Sequence, residues 1–410
     1  MAKFLTMVDF DFKNKTALVR VDFNSNIDPK TKKILEAPRI RAHGETTIEE
    51  LVKKGAKVVI LAHQGRPGDP DFAPLKQHAE FLSKVLGKPV KYVDDLFGEK
   101  AQKAIKQLKS GEVLVLKNVR TYPDELKKGT PEEQAKSEFV QKLAPLADVF
   151  VNDAFSAAHR AQISIVGFTA VLPSVAGRIM ERELKALTKA VERPEKPCVY
   201  ILGGAKADDA LKISMYILKN DIASQVLTGG VVGHLFLAAK GFDLGGPNME
   251  FLQKKELISF IPGVEKLIEE YPQRIEVPID IAVEVDKKRK EILAKQLPSD
   301  YPIFDIGANT IDRYSKIIKD AKSIVFSGPV GVFEKKESEA GTRKIFEAIA
   351  SSKAFSLIGG GDTVSAVEKF GLAQKMGYVS TAGGALIEFL MGEKLPGVVA
   401  LEEAAKRTGN

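Results

Sequence analysis

The stretch KVVILAHQGRP, Lys57 to Pro67, decides how this chain is to be read. An unbroken apolar run from Val58 to Ala62 is followed at once by His63, Gln64, Gly65 and Arg66. Continuous rather than alternating hydrophobicity marks a strand covered on both faces. Just upstream, GETTIEELVKKG (Gly44 to Gly55) carries an apolar stripe of Ile48, Leu51 and Val52. Gly55 then suits the position just past a helix C-terminus. A helix, a tight turn and a buried strand ending in polar groups make the repeating unit of an α/β protein.

That unit recurs on both sides. Further apolar runs are TALVRV (Thr16 to Val21), EVLVL (Glu112 to Leu116) and DVFVN (Asp148 to Asn152). Later come CVYIL (Cys198 to Leu202), SIVF (Ser323 to Phe326) and FSLIGG (Phe355 to Gly360). The alternation predicts an α/β fold with mostly parallel, Rossmann-like sheets flanked by helices. Midway, GRIMERELKALTKAV (Gly177 to Val191) places Met180, Leu184, Leu187 and Val191 on one stripe. It reads as a connecting helix of roughly 22 Å at 1.5 Å per residue. Pro194 and Pro197 end it.

In open α/β sheets, ligands bind beyond the carboxyl ends of the strands, so the residues following each run matter most. In the first half these are Arg20, Asp22, Asn24, His63, Arg66, Arg120, His159 and Arg160, with Arg39 and Arg41 ahead of the Gly44 stretch. Guanidinium forks match phosphate and carboxylate oxygens, so arginines converging on one sheet edge suit a small polyanion. His63 and His159 read equally as general bases or as hydrogen-bonded structural histidines.

The second half puts glycine in the equivalent places: Gly203 and Gly204 ahead of Lys206, Gly229 and Gly230, Gly328 and Gly331, Gly359 to Gly361 ahead of Asp362, and Gly383 with Gly384. Glycine lets a phosphate approach the backbone, and helix N-termini attract it. Asp362 is placed to hold a Mg²⁺ carried on those phosphates. No G-x-x-x-x-G-K-[ST], no dinucleotide G-x-G-x-x-G in its strand-to-helix setting, no protein-kinase set and no G-x-S-x-G is found. One half suits a small anion and the other a nucleotide, which points to phosphoryl transfer.

Composition narrows the alternatives. The 410 residues are 44% hydrophobic and 28% charged, enough for two or three domains. Sixty-one Lys and Arg against 54 Asp and Glu leave +7, without the basic tail of a nucleic-acid binder. The one cysteine, Cys198 in PCVYIL, reads as a buried core thiol. Neither a secretion signal nor a span of about 20 apolar residues is seen, so a cytoplasmic location is expected. A nicotinamide dehydrogenase would share the strand-end glycines but lacks its fingerprint here. A non-catalytic nucleic-acid binder would show a steep salt dependence.

Seven stretches also resemble, in order, the signatures of the phosphoglycerate kinase family. They are RVDFN (Arg20 to Asn24), the H-x-G-R-P stretch from His63 to Pro67, VNDAF-x-x-AHRA (Val151 to Ala161), LGGAK (Leu202 to Lys206), GPVGVFE (Gly328 to Glu334), GGGDT (Gly359 to Thr363) and VST-x-GGA (Val379 to Ala385). The pattern is most similar to the archaeal branch. The resemblance implies a 3-phosphoglycerate domain over 1–175, a connecting helix over 176–193 and a nucleotide domain over 194–397, with 398–410 folded back on the first. Asp22, Phe23, Asn24, Arg39, His63, Gln64, Gly65, Arg66, Arg120 and Arg160 would bind the glycerate substrate. Lys206, Glu334, Gly360, Gly361, Asp362 and Thr363 would serve ATP or ADP, with Asp362 on the metal side. Arg39, Lys206, Lys212, Gly361 and Gly384 would act on the moving phosphoryl group. A monomer is expected, with a dimer left open, and neither nucleic acid nor membrane is expected as a partner.

The chain departs from the family pattern at several points. Ser25 and Asn26 stand where most members have Val-Pro, Ser327 replaces a common Asn and Ala382 a Gly. A second lysine common four residues after that of LGGAK is here Ala210, and Lys212 is the candidate to reach the same place. The implied nucleophile in the ATP-consuming direction is a carboxylate, already ionised at neutral pH, so no general base is needed.

Overall fold

The computed structural model describes residues 4–408, so the ends of the expected domain spans, 1–3 and 409–410, lie outside the described residues. The chain divides into two compact units, one running to Leu184 and rejoined from Lys394, the other spanning Lys185–Glu393. Each is built on six parallel strands.

In the first unit the strands lie in the order Val90–Tyr92, Val113–Val115, Lys57–Leu61, Thr16–Arg20, Val149–Asn152, Ser174–Ala176. Burial on both faces explains the continuous hydrophobicity. Val19, Val58 and Ile60 face one core, while Leu18, Val59 and Leu61 face the other. The second core contains a run of aromatic contacts, with Phe97–Phe139, Phe139–Phe168 and Phe150–Phe168 centroids at 5.6, 5.4 and 5.5 Å. Burying each such ring stabilises the fold by about 1.5–3 kcal/mol.

The first strand, Thr16–Arg20, sits between Lys57–Leu61 and Val149–Asn152. The chain leaves Thr16–Arg20 toward one edge of the sheet and Val149–Asn152 toward the other, the kind of switch point at which open α/β sheets bind ligands. The second unit repeats the device. Its strands run Ile275–Glu276, Gln225–Thr228, Cys198–Leu202, Ser323–Ser327, Phe355–Gly359, Tyr378–Val379, with the first in sequence again central. Cys198 is buried, as its apolar setting implies.

A three-stranded antiparallel sheet, Asp280–Val285, Lys288–Leu293 and Ile303–Ile306, is added to this unit. Its hairpin turns on Asp286 and Lys287, both at positive φ (49° and 61°). A two-residue turn of that kind normally advertises itself with Asn-Gly or Asp-Gly, which is absent here.

The stripe of Met180, Leu184, Leu187 and Val191 is buried on an α-helix over Arg178–Leu187 that continues as a π-helical turn over Thr188–Glu192. Arg178 anchors its start with a two-pronged ion pair to Glu50, both contacts 2.7 Å. After Lys394 the helix Pro396–Arg407 packs on the first unit, where Gly397 N–H donates to the Ala158 carbonyl at 2.8 Å. Arg407 also donates to the Thr169 carbonyl. Among the described residues no helix is long and apolar enough to cross a membrane.

Candidate active site

At the first unit's switch point the strand Thr16–Arg20 delivers Arg20 into full burial. A buried guanidinium needs partners. Its Nε donates to Ser164 Oγ (2.7 Å) and its Nη1 to the Val21 carbonyl (2.5 Å). Ser164 in turn donates to Glu125, also fully buried, whose carboxyl is pushed up by burial and pulled back chiefly by Arg20. Arg20 Nη2 donates to His63 Nδ1 at 3.2 Å, which leaves the imidazole proton on Nε2, 4.0 Å from Asp22 Oδ1.

Asp22 is the hub of the next layer. Arg39 Nη1 lies 2.5 Å from its Oδ2, and Ser156 donates to the same oxygen. Burial pushes this carboxyl up, but Arg39 above all, helped by the hydrogen bond from Ser156, holds it well below the usual carboxylate range. Asn24 Oδ1 accepts from Gly65 N–H at 2.8 Å, joining the two strand-end loops. Phe23 and Gln64 are wholly buried, and Gln64 Oε1 accepts from Ser25 N–H (2.7 Å) and His78 (3.0 Å). Both therefore brace the loops that carry Asn24 and Gly65.

Arg120 packs against the same loops. Its Nη1 donates to the Gly65 carbonyl at 2.5 Å, while its buried Nε has no partner. Burial first, then Arg160, Arg20 and Arg66, lowers its pKa to about 10. Four guanidinium groups that repel one another beside an unpartnered donor suit a small anion.

Two histidines of this region, His63 and His159, are disfavoured as cations. Burial holds His63 well below its ordinary value, and burial with Arg160 brings His159 down to about 4. We therefore expect kcat to show no ionisation near 6.5 across about pH 6–9; a unit-slope limb there would assign a histidine base. For His159 the unfolded chain takes up its proton first as pH falls from about 6.5, so stability should decline toward pH 4. Urea midpoints at pH 7 and 5 would show it.

The second unit offers two adjoining cavities. One, of about 250 Å³, is lined by Gly203, Gly204, Lys206, Asp209, Ser327, Gly360, Gly361, Asp362, Thr363 and Gly384. Three helices begin at it: Ala207–Lys219, Gly361–Lys369 and Gly384–Leu390. Their N-terminal N–H groups and partial positive charge suit phosphate. Some of these glycines are sterically required. Gly328 has φ +87°, and a Cβ on it would lie 2.1 Å from the Gly203 carbonyl oxygen. Thr363 Oγ1 accepts from Gly328 N–H at 2.7 Å, fixing the loop from below.

The other cavity, of about 460 Å³, is mostly apolar, with Val231, Phe251, Pro302, Phe304, Val332 and Phe333 in its walls. Glu334 and His234 add polar edges, and burial lowers His234 to about 4. Gly204, Ala205 and Asp362 line both cavities. A cavity at helix N-termini that shares lining residues with an apolar one suits a nucleotide.

A sequence model of the phosphoglycerate kinase family matches residues 7–393. The chain belongs to that family. The phosphoglycerate kinase of Methanobacterium bryantii is 50% identical over 400 residues, covering 98% of this chain and 97% of that one. That of Pyrococcus furiosus is 44% identical over 406 residues, covering 98% of each. Among solved structures, the phosphoglycerate kinase of Pyrococcus horikoshii OT3 superimposes with a TM-score of 0.89 at 41% identity, covering 98% of this chain and all of that one. That of Coxiella burnetii gives 0.84 at 33%, with the same coverage. As a phosphoglycerate kinase the chain is a glycolytic phosphotransferase, interconverting 1,3-bisphosphoglycerate plus ADP and 3-phosphoglycerate plus ATP.

Against the sequence expectations for a phosphoglycerate kinase, Lys206, Gly360, Gly361, Asp362, Thr363 and Gly384 gather on the phosphate-sized cavity, and Glu334 on the apolar one. Lys212 is exposed and stands outside both linings. Sequence reasoning missed Ser156, although it lies inside VNDAFSAAHR. It also missed Asp209, three residues past Lys206, whose carboxyl is raised by burial and then by Asp208. Phe251 and Phe304 carried no local signal, since they reach the cavity from a separate helix and the antiparallel sheet.

Proposed function

We propose that transfer is direct and in line, with the glycerate substrate on the arginine site and the nucleotide on the glycine site. The supporting observation is the unused Arg120 Nε inside a cluster of mutually repelling guanidiniums. Arg66, Arg120 and Arg160 take the substrate's phosphate and carboxyl oxygens. Asp22 and Asn24 orient its hydroxyl side, and Arg39 meets the charge that spreads over the moving phosphoryl group. ATP phosphates lie against Lys206, Gly361 and Gly384, and the nucleoside fills the apolar cavity with Glu334 toward the ribose.

The exposed Asp362, with Asp209 across the same lining, supplies hard oxygen donors that suit Mg²⁺ arriving on phosphates, which needs only one or two carboxylates. The metal would neutralise phosphate charge. Both half-sites are built within one chain, so a single copy suffices. A coupled assay with 3-phosphoglycerate and ATP tests the reading: turnover should need added Mg²⁺ and vanish with chelator. ATP consumption without 3-phosphoglycerate would count against direct transfer.

In-line transfer requires reacting atoms about 3–3.5 Å apart, yet substrates must enter. Closure of one unit on the other, biased by ligands that engage both, meets the two demands. Each ligand shifts the equilibrium only by its preference for the closed form. Small-angle scattering should show the radius of gyration falling most with 3-phosphoglycerate and a non-hydrolysable Mg-ATP analogue together. One identical radius in apo, binary and ternary samples would argue against closure.

A further inference from the structure

We infer that His43 and Asp153 form a positioning relay tying the first turn of the Arg178–Leu187 helix to Asp22 and, through it, to Arg39. The inference rests on the substrate-side reading of Asp22 and Arg39 above. Neither His43 nor Asp153 carries a role in that reading, and both are buried.

Asp153 follows the strand Val149–Asn152, and its Oδ1 accepts from Ile179 N–H (2.8 Å) and Met180 N–H (3.2 Å). Those are unpaired donors of the helix's first turn, where a carboxylate also meets the positive end of the helix. The approach is so close that a Cβ on Gly177 would lie 2.3 Å from Asp153 Oδ1. Oδ2 receives His43 Nδ1 at 2.6 Å, and His43 Nε2 lies 3.2 Å from Asp22 N.

The partners assign the tautomer. A carboxylate only accepts, so the ring proton sits on Nδ1; a backbone N–H only donates, so Nε2 must be bare. His43 stands four residues after Arg39 on the helix Pro38–His43, so one helix grips Asp22 twice. Arg39 holds its carboxylate and His43 its backbone N–H. Arg178 N–H donates to Thr47 Oγ1 at 2.8 Å, and with the Glu50 pair this fixes the helix start in the first unit. A displacement of that first turn is thereby passed to the residue that orients Arg39.

Asp153→Asn separates the relay from the helix cap. The amide oxygen still accepts from Ile179 and Met180, but its NH₂ now faces His43 Nδ1, so the ring proton must move to Nε2 and confront Asp22 N–H. In ¹⁵N NMR the wild-type His43 ring should be protonated at Nδ1 and bare at Nε2, and the variant should show the reverse. His43→Ala identifies the signal. Both variants should raise the 3-phosphoglycerate KM and lower kcat, together by about tenfold to a hundredfold in kcat/KM, the scale of losing an orienting outer partner. The ATP KM should stay within about twofold, a split that general loosening of the fold would not give.

Should Asp153→Asn not fold, His43→Ala alone carries the kinetic arm, because it leaves the helix cap in place. A wild-type ring protonated at Nε2 would overturn the relay. So would a foldable variant with unchanged 3-phosphoglycerate kinetics. If Asp22→Asn itself left those constants unchanged, the substrate-side reading would be the part at fault, and the NMR tautomer would still decide the relay.

Discussion

Arg39→Ala is expected to lower kcat by at least ~10³, the range for losing arginine assistance to phosphoryl transfer. Arg20 and Arg120 already donate to the protein itself, at Val21, Ser164 and the Gly65 carbonyl. Arg39 differs. Its side chain is 36% exposed, and among the described residues its one polar partner is Asp22, through Nη1. The other guanidinium donors remain for a ligand. Substrate affinity should fall far less than kcat, because Arg66, Arg120 and Arg160 still attract the same anion. The substitution also leaves the buried Asp22 carboxylate without its ion-pair partner, so some stability will be lost. Arg39→Lys separates the two effects. It keeps a cation for Asp22 and should recover much of the stability, but lacks the planar fork and should not recover the rate. If Arg39→Ala keeps kcat within tenfold while the 3-phosphoglycerate KM climbs, Arg39 only binds.

The two parallel sheets were legible because strands buried on both faces write continuous apolar runs, and Thr16–Arg20 and Cys198–Leu202 are buried along their whole length. The placement of strand-end residues was legible for the same reason: topology sends Arg20, His63 and Gly203 to predictable edges. The antiparallel sheet was not, since its outer strand KRKEIL is largely exposed and its turn is Asp-Lys. Partners acting through burial also stayed hidden. Glu125 reaches Arg20 through Ser164, 39 residues away in sequence, and Asp153 meets His43 across 110. Polar pairs at such separations leave no local pattern, because only the fold brings their elements together. Gln64 shows the same thing inside the H-x-G-R-P stretch, where its amide engages Ser25, His78 and the Asp71 carbonyl, partners the stretch does not announce.

Lys206→Ala should cost ~10²–10³ in kcat, the scale of removing one preorganised charge donor, whereas Lys212→Ala should cost less than tenfold. Both lysines precede or occupy the helix Ala207–Lys219, but the helix turns them differently. Its face on the phosphate cavity is Lys206, Asp209, Ala210 and Ile213, a spacing of about one turn that skips Lys212. Lys206 therefore adds a full charge to a cavity otherwise served by N–H groups at Gly361 and Gly384. Lys212 is exposed and makes itself felt there only by lowering the Asp209 carboxyl, as Lys206 also does. Since Lys206 too is exposed, its loss should leave the urea midpoint nearly unchanged, so a rate effect would not be a folding effect. Single-turnover rates with saturating ATP and 3-phosphoglycerate give the comparison directly. Equal losses in the two variants would mean that Lys212 swings onto the phosphoryl group in the reacting state and takes the part of the lysine absent at Ala210. A loss confined to Lys206 would leave that position unreplaced, with helix N-termini supplying the remaining stabilisation.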